Sequence, residues 1–225
     1  MTVRKHIPNF ITMLNLFTGS VAVYYAFNGN FTRSFFAILI AGLFDLLDGL
    51  AARALKAYSP MGKELDSLAD VISFGLAPGV IVFSLVEQSQ LPEWLKFAGF
   101  IIPVFSALRL AKFNIDENQT TSFIGLPTPA NAIFWAGMGY SFSAWLIVNP
   151  LLTIALTIVL SGLLVSKLPM FSLKFKSLKW NQNRMQYIFL AGCVLLLIVF
   201  GWDAFALIIG WYILGSAILS PLMKL

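Results

Sequence analysis

The sequence predicts an all-α polytopic membrane protein of about eight transmembrane helices. Three observations lead there. Apolar residues make up 59% of the chain and charged residues 11%, against about 45–50% and about 25% in soluble domains. Mean hydropathy is +0.84. The apolar residues fall in runs close to the roughly 20 residues that a helix needs to cross the hydrocarbon core, and the basic residues collect in the connections between runs.

The runs are 8–28, 32–55, 62–86, 93–113, 129–148, 150–166, 187–201 and 203–221. The first follows Arg4 and Lys5, as a signal sequence would. It is long, however, opens on Pro8-Asn9 and lacks a small-residue cleavage site, so it reads as a retained span. The second and third are joined by a turn near Ser59-Pro60. Only Asn149-Pro150 separates the fifth from the sixth, and only Gly201-Trp202-Asp203 the last two; spans six and seven are short. With a cytoplasmic N-terminus, one side holds Arg4, Lys5, Arg53, Lys56, Lys63, Arg109, Lys112, Lys167, Lys174, Lys176, Lys179, Arg184 and Lys224, and the other only Arg33 and Lys96. Cytoplasmic loops carry the excess of Lys and Arg. One misjudged break would invert every later loop, so the asymmetry supports the even count and puts both termini inside, in the cell membrane.

The chain reads as a single integral membrane domain, 1–225. Residues 167–186 form a basic cytoplasmic connection, open to anionic lipid head groups. The formal charge of +5 is spread over loops and is no signal for nucleic acid. The lone Cys193 excludes an intramolecular disulfide and reads as a small hydrophobe. The lone His6 reads as interfacial. Asn30-Phe-Thr and Asn118-Gln-Thr match the glycosylation triplet, and both read as chance matches.

Residues 45–70 depart from this pattern. Four of the ten acidic residues, Asp45, Asp48, Asp66 and Asp70, fall there. An acid at membrane depth costs about 2.5–3.5 kcal/mol on insertion scales and marks a functional site by default. Four neighbouring carboxylates repel one another and need a counter-charge. Oxygen-only ligation suits hard divalent ions: two of magnesium or manganese, with calcium as a further candidate. Spacings of three (45, 48) and four (66, 70) put each pair on one helical face. Reflected about the turn, Asp45 should lie level with Asp70 and Asp48 with Asp66, framing a gap for metals about 3.5–4 Å apart. Gly49 and Ala52 keep the helix surface low, and Gly62 lets backbone approach a ligand closely; ordinary small-residue packing is the other reading. Arg53 fits a diphosphate contact, a brace for a carboxylate or a plain helix-end charge.

These residues, Asp45-x-x-Asp48-Gly49-x-x-Ala52-Arg53-x8-Gly62-x3-Asp66-x3-Asp70, resemble the complete signature of the CDP-alcohol phosphotransferases. Pro8-Asn9-x-x-Thr12, the run Ala107 to Asn114, and Phe123-x-Gly125-Leu126-Pro127-x-Pro129-Ala130 resemble that family's serine-accepting branch, the phosphatidylserine synthases. The resemblance covers about the first 150 residues. It implies a homodimer with a six-helix core (here 1–166), followed by a C-terminal helix pair, 187–221, and an active site facing the cytoplasm. It implies CDP-diacylglycerol and L-serine as substrates. Asp45, Asp48, Asp66 and Asp70 would hold two metals. Asp48, Gly49, Ala52, Arg53 and Gly62 would surround the CDP part, and Asp70 would be the general base.

The acceptor site rests on less. Arg109 and Lys112, three apart, and the following Asn114 fit a carboxylate, which arginine binds with two parallel hydrogen bonds. Gly125 and Pro127 lie in a rigid turn that fits the edge of an acceptor pocket. The other reading is positive-inside charge with a helix cap, then a linker. Other acceptors, glycerol 3-phosphate or inositol phosphate, stay open, though a phosphorylated one calls for a denser cationic pocket. A cation transporter is the remote alternative; it would be expected to show internal repeats and broken helices, and no repeat is evident.

Overall fold

The computed structural model describes residues 6–115, 123–170 and 183–219. Arg4, Lys5, Lys174, Lys176, Lys179, Lys224 and the Asn118 triplet lie outside the described residues, as does most of the basic connection. Helices occupy all eight apolar segments.

Helix α1 (His6–Phe27) buries a stripe of small and polar residues: Thr12, Asn15, Gly19, Ala22 and Ala26. That low surface lets α2 (Phe31–Ala54) pack along it, and Ser34 Oγ donates to the Ala22 carbonyl at 3.0 Å. Gly29, at φ +66°, makes the reversal between them, and the Asn30 side chain caps α2 by accepting from Arg33 N. Lys56, at φ +50°, turns the chain at the far end of α2. Ser59 then caps α3 (Pro60–Asp70), with Pro60 in the first turn where its missing N–H has no cost.

From Pro60 the chain stays helical to Glu87, through a π-helical segment, Val71–Leu76, into α4 (Ala77–Glu87). This post is the most enclosed part of the molecule. It packs against α1 on one side, α6 on another, and the next crossing on a third. That crossing is a 3-10 turn, Glu93–Phe100, running into α5 (Ile101–Ile115). Backbones touch there. A Cβ on Gly99 would lie 2.4 Å from the Gly79 carbonyl oxygen and 2.7 Å from Phe83 N. In a bilayer, lipid tails are as apolar as the side chains, so helices associate through such close packing and through polar contacts.

Helix α6 (Thr128–Val148) and α7 (Pro150–Val165) follow, broken only at Asn149-Pro150. A two-residue ladder pairs β1 (Phe123–Ile124) with β2 (Pro169–Met170), tying the segment before α6 to the chain after α7. Helices α8 (Arg184–Phe200) and α9 (Ala204–Leu219) form a hairpin about Gly201, at φ +56°. Trp211 lies against Gly192 across that hairpin, and α9 rests on α6 at Ala206 and Gly137. Cys193 is partly buried and packs against the cluster of Trp135, Leu160 and Tyr212. His6 is exposed at the start of α1.

By length and composition, five helical stretches can cross a membrane: His6–Phe27, Phe31–Ala54, Pro60–Glu87, Glu93–Ile115 and Gln186–Ser216. The last of these is the α8–α9 hairpin, two helices of 17 and 16 residues. Helix α7 is apolar but has 16 residues, and α6 has 21, with glycines, serines and Asn131 among them. The protein is an all-α integral membrane protein.

Candidate active site

The site is built where α1, α2 and α3 meet. Helix α1 packs along both of the others, while α2 and α3 barely touch. They face each other across a gap, and the acids fill it. Carboxylate oxygens of Asp45, Asp48 and Asp66 lie within 4.8 Å of one another. An Asp66 oxygen lies within that distance of both Asp45 and Asp48. Its closeness to Asp48 is the pairing expected from reflection about the turn, and its closeness to Asp45 adds a diagonal approach.

Asp70 is buried and stands outside this trio, one helical turn further along α3. Asn15 Nδ2 donates to Asp70 Oδ1 at 3.3 Å. Asn15 itself has no exposed surface, and its backbone carbonyl accepts from Ser73 Oγ in the π segment at 3.1 Å. The buried Asp48 accepts from Thr12 Oγ1 at 2.5 Å. Thus α1, which carries no acid, orients one carboxylate on each neighbouring helix. These two roles escape a reading based on acids. Their signal was present: Asn9, Thr12 and Asn15 recur every third residue in an apolar helix, a polar stripe on one face.

The donor set is all oxygen, and among the described residues no Lys or Arg forms an ion pair with these acids. An aspartate cluster of this kind fits a hard divalent cation, which the carboxylates of both helices can hold in place of the missing counter-charge.

An open cleft of about 600 Å³, counted out to its mouth, adjoins the cluster. Asp48 and Asp66 form part of its wall, with Gly49, Ala52 and Gly62, joined by Asn9, Thr12, Tyr58 and Lys63. Nothing lies within 4 Å of where a Gly49 Cβ would be, so the glycine leaves open space. Gly62 is different: its Cβ would lie 3.0 Å from Asn9 Oδ1, so this glycine admits α1 as well as a ligand. Arg53 is exposed on the last turn of α2 and does not line the cleft.

The acceptor candidates divide. Arg109 and Lys112 line a second, smaller hollow with Phe113, Ile124, Leu164 and Ser166. Arg109 Nη1 donates to the Ile124 carbonyl at 3.0 Å and the Leu164 carbonyl at 2.9 Å. One guanidinium nitrogen therefore staples α5 to the end of α7. Gly125, at φ +75°, is needed there, because a Cβ would lie 2.6 Å from the Leu164 oxygen and 3.0 Å from Arg109 Nη1. Pro127 precedes the first turn of α6. Asn114 is not part of the hollow's lining; its side chain reaches α3.

The model of the CDP-alcohol phosphatidyltransferase family matches residues 5–214. The chain belongs to that family. The match takes in all the acids, the second hollow and the C-terminal hairpin as far as residue 214. Among curated relatives, a CDP-diacylglycerol–serine O-phosphatidyltransferase of Bacillus subtilis is 34% identical over 164 residues, 73% of this chain and 89% of its own. One from Methanocaldococcus jannaschii is 35% identical over 154 residues, 68% of this chain and 70% of its own. An archaetidylserine synthase of Methanothermobacter thermautotrophicus is 34% identical over 129 residues, 56% of this chain and 54% of its own. In this CDP-alcohol phosphatidyltransferase, then, the aspartate trio and its cleft are the candidate catalytic centre, and the Arg109 hollow is the candidate acceptor pocket.

Proposed function

We propose that this chain transfers the phosphatidyl group of CDP-diacylglycerol to the hydroxyl of L-serine, giving phosphatidylserine and CMP. The observation that carries the reading is the aspartate trio beside an open cleft floored by small residues, in a chain whose serine-accepting relatives match it along most of its length. Asp45, Asp48, Asp66 and Asp70 would hold two divalent cations, magnesium or manganese, with calcium as a further candidate. When bound, these supply charge neutralisation for the diphosphate and for the phosphoryl group in flight.

The chain's own residues do the rest. The low surface at Gly49, Ala52 and Gly62 receives the CDP part, and Arg53, near the cleft mouth, faces the diphosphate once its side chain folds inward. Asp70, held by Asn15, takes the proton of the serine hydroxyl. The serine oxygen bonds to the phosphorus bearing diacylglycerol, the bond from that phosphorus to the CMP oxygen breaks, and the electron pair leaves with CMP. Arg109 and Lys112 receive the serine carboxylate beside Gly125 and Pro127. With one nitrogen of Arg109 bonded to two backbone carbonyls, its remaining N–H donors and Lys112 are the cationic groups lining the hollow, fewer than a phosphorylated acceptor calls for, which favours serine. The lipid tails stay in the bilayer, so ester and ether lipids present the same head group.

Purified protein given CDP-diacylglycerol and magnesium or manganese, with serine, glycerol 3-phosphate or inositol phosphate, should form product with serine alone and stop in chelator. Product from a phosphorylated acceptor would move the acceptor assignment, and full turnover in chelator would remove the metals. Cation flux without transfer would restore the transporter reading. We place the cleft and both termini on the cytoplasmic side and expect a homodimer. In a Cys193→Ala background, Asn28→Cys should react with an impermeant reagent from outside and Tyr58→Cys only from inside. Labelling of both from one face would sink this orientation.

A further inference from the structure

Helix α3 carries more than acids. Lys63, Asp66, Ser67 and Asp70 stand at intervals of three and four, so they line one side of the helix. Asp66 and Asp70 face α2 and α1, while Lys63 and Ser67, at the other edge of that side, reach the last turn of α5. Lys63 Nζ donates to the backbone carbonyl of Asn114 at 2.8 Å. Asn114 Nδ2 in turn donates to Ser67 Oγ at 2.8 Å.

These two bonds have a physical rationale at the end of α5. The last four carbonyls of a helix have no partner within it, and the carbonyl of Asn114 is one of these, since α5 ends at Ile115. A cation there is also favoured by the helix dipole. Two more facts bear on the consequence. Helices α3 and α5 make few other contacts. Arg109 and Lys112 lie five and two residues before Asn114, on the same short helix end.

We propose that Asn114 is a positioning residue, not an acceptor ligand. With Ser67 and Lys63 it latches the end of α5 to the helix bearing Asp66 and Asp70, and so sets the distance between the Arg109–Lys112 hollow and the reacting centre. The inference rests on the reading of that hollow as the acceptor site. The latch gives the two half-sites a common rigid member. An acceptor bound at Arg109 is then delivered to Asp70 at a fixed reach, and misplacement by a fraction of an ångström appears as a weaker productive complex.

The test is a double-mutant cycle on the full chain in detergent or nanodiscs, with Asn114→Ala, Ser67→Ala, the pair together, and Ser67→Thr. Each alanine variant should raise the KM for serine by about 2- to 12-fold, the range of one hydrogen bond. CDP-diacylglycerol binding should stay near wild type. The double variant should be no worse than either single one, and Ser67→Thr, which keeps the hydroxyl, should restore the parent KM. Backbone hydrogen exchange over residues 109–115 should speed up in both single variants, with or without acceptor. A raised KM in Asn114→Ala beside a normal KM in Ser67→Ala would overturn the latch and make Asn114 a direct acceptor contact. Unchanged exchange, or faster exchange with unchanged KM, would overturn it too. If the wild-type enzyme uses another acceptor, the functional reading fails, while the cycle run with that acceptor and the exchange data still judge the latch.

Discussion

Asp66→Asn should abolish phosphatidyl transfer at any serine concentration and weaken manganese binding by more than about 100-fold, the upper range for losing even an indirect metal contact. The structure singles out Asp66 among the four acids. An Asp66 oxygen lies within 4.8 Å of those of both Asp45 and Asp48, so it is the member of α3 that ties the two helices' carboxylates into one cluster. The amide keeps the size and one oxygen but removes the charge, and a hard divalent ion depends on that charge. The substitution also lowers the repulsion within the trio. For that reason the fold should survive, and the unfolding temperature without metal should stay level or rise. Manganese titration followed by electron paramagnetic resonance, with initial rates on the same sample, measures both quantities. Manganese binding at the parent affinity would remove Asp66 from the metal site.

Asp70→Asn should behave differently. Its carboxyl stands apart from the trio and accepts from Asn15, a setting that suits a proton acceptor more than a shared ligand. Loss of a general base costs about 10²- to 10⁴-fold. We expect kcat to fall in that range, with KM for serine and binding of CDP-diacylglycerol little altered. Manganese affinity should fall less than in Asp66→Asn. The comparison lies in the split between the two variants: an equal loss of metal binding would leave Asp70 a metal ligand with no separate role as base, and a fall confined to KM would remove it from the chemistry.

Much of this was legible in the sequence. The helices lie where the apolar runs do, because a bilayer imposes one length and one polarity on every crossing. The acids marked the candidate site because charge at membrane depth is rare, and three of them do cluster. What the sequence did not disclose depends on packing. The π segment after Asp70 has no local signature in Val71–Leu76; it is the conformation adopted where the post meets α1, α5 and α6 together. The diagonal approach of Asp66 to Asp45 depends on how α1 holds α2 and α3 apart. The commitment of Arg109 to two carbonyls could not be read from a positive charge at a helix end, nor could the reach of Asn114 across to Ser67. The functions of Thr12 and Asn15 were hidden for another reason: an uncharged polar residue in a span is common enough to pass as packing.

The placement of α1 has a consequence for biogenesis. Helix α1 is made before α2 and α3, yet two of its inward-facing polar side chains have their cross-helix partners on those later helices, Thr12 on Asp48 and Asn15 on Asp70, with Ser73 donating to the Asn15 carbonyl. Until α3 is made, the Asn15 amide therefore lacks its partner Asp70, while the Thr12 hydroxyl can bond the Pro8 carbonyl within α1. Closing the carboxylate cluster would give α1 its last polar contacts, so packing of the first helix and gathering of the acids are coupled.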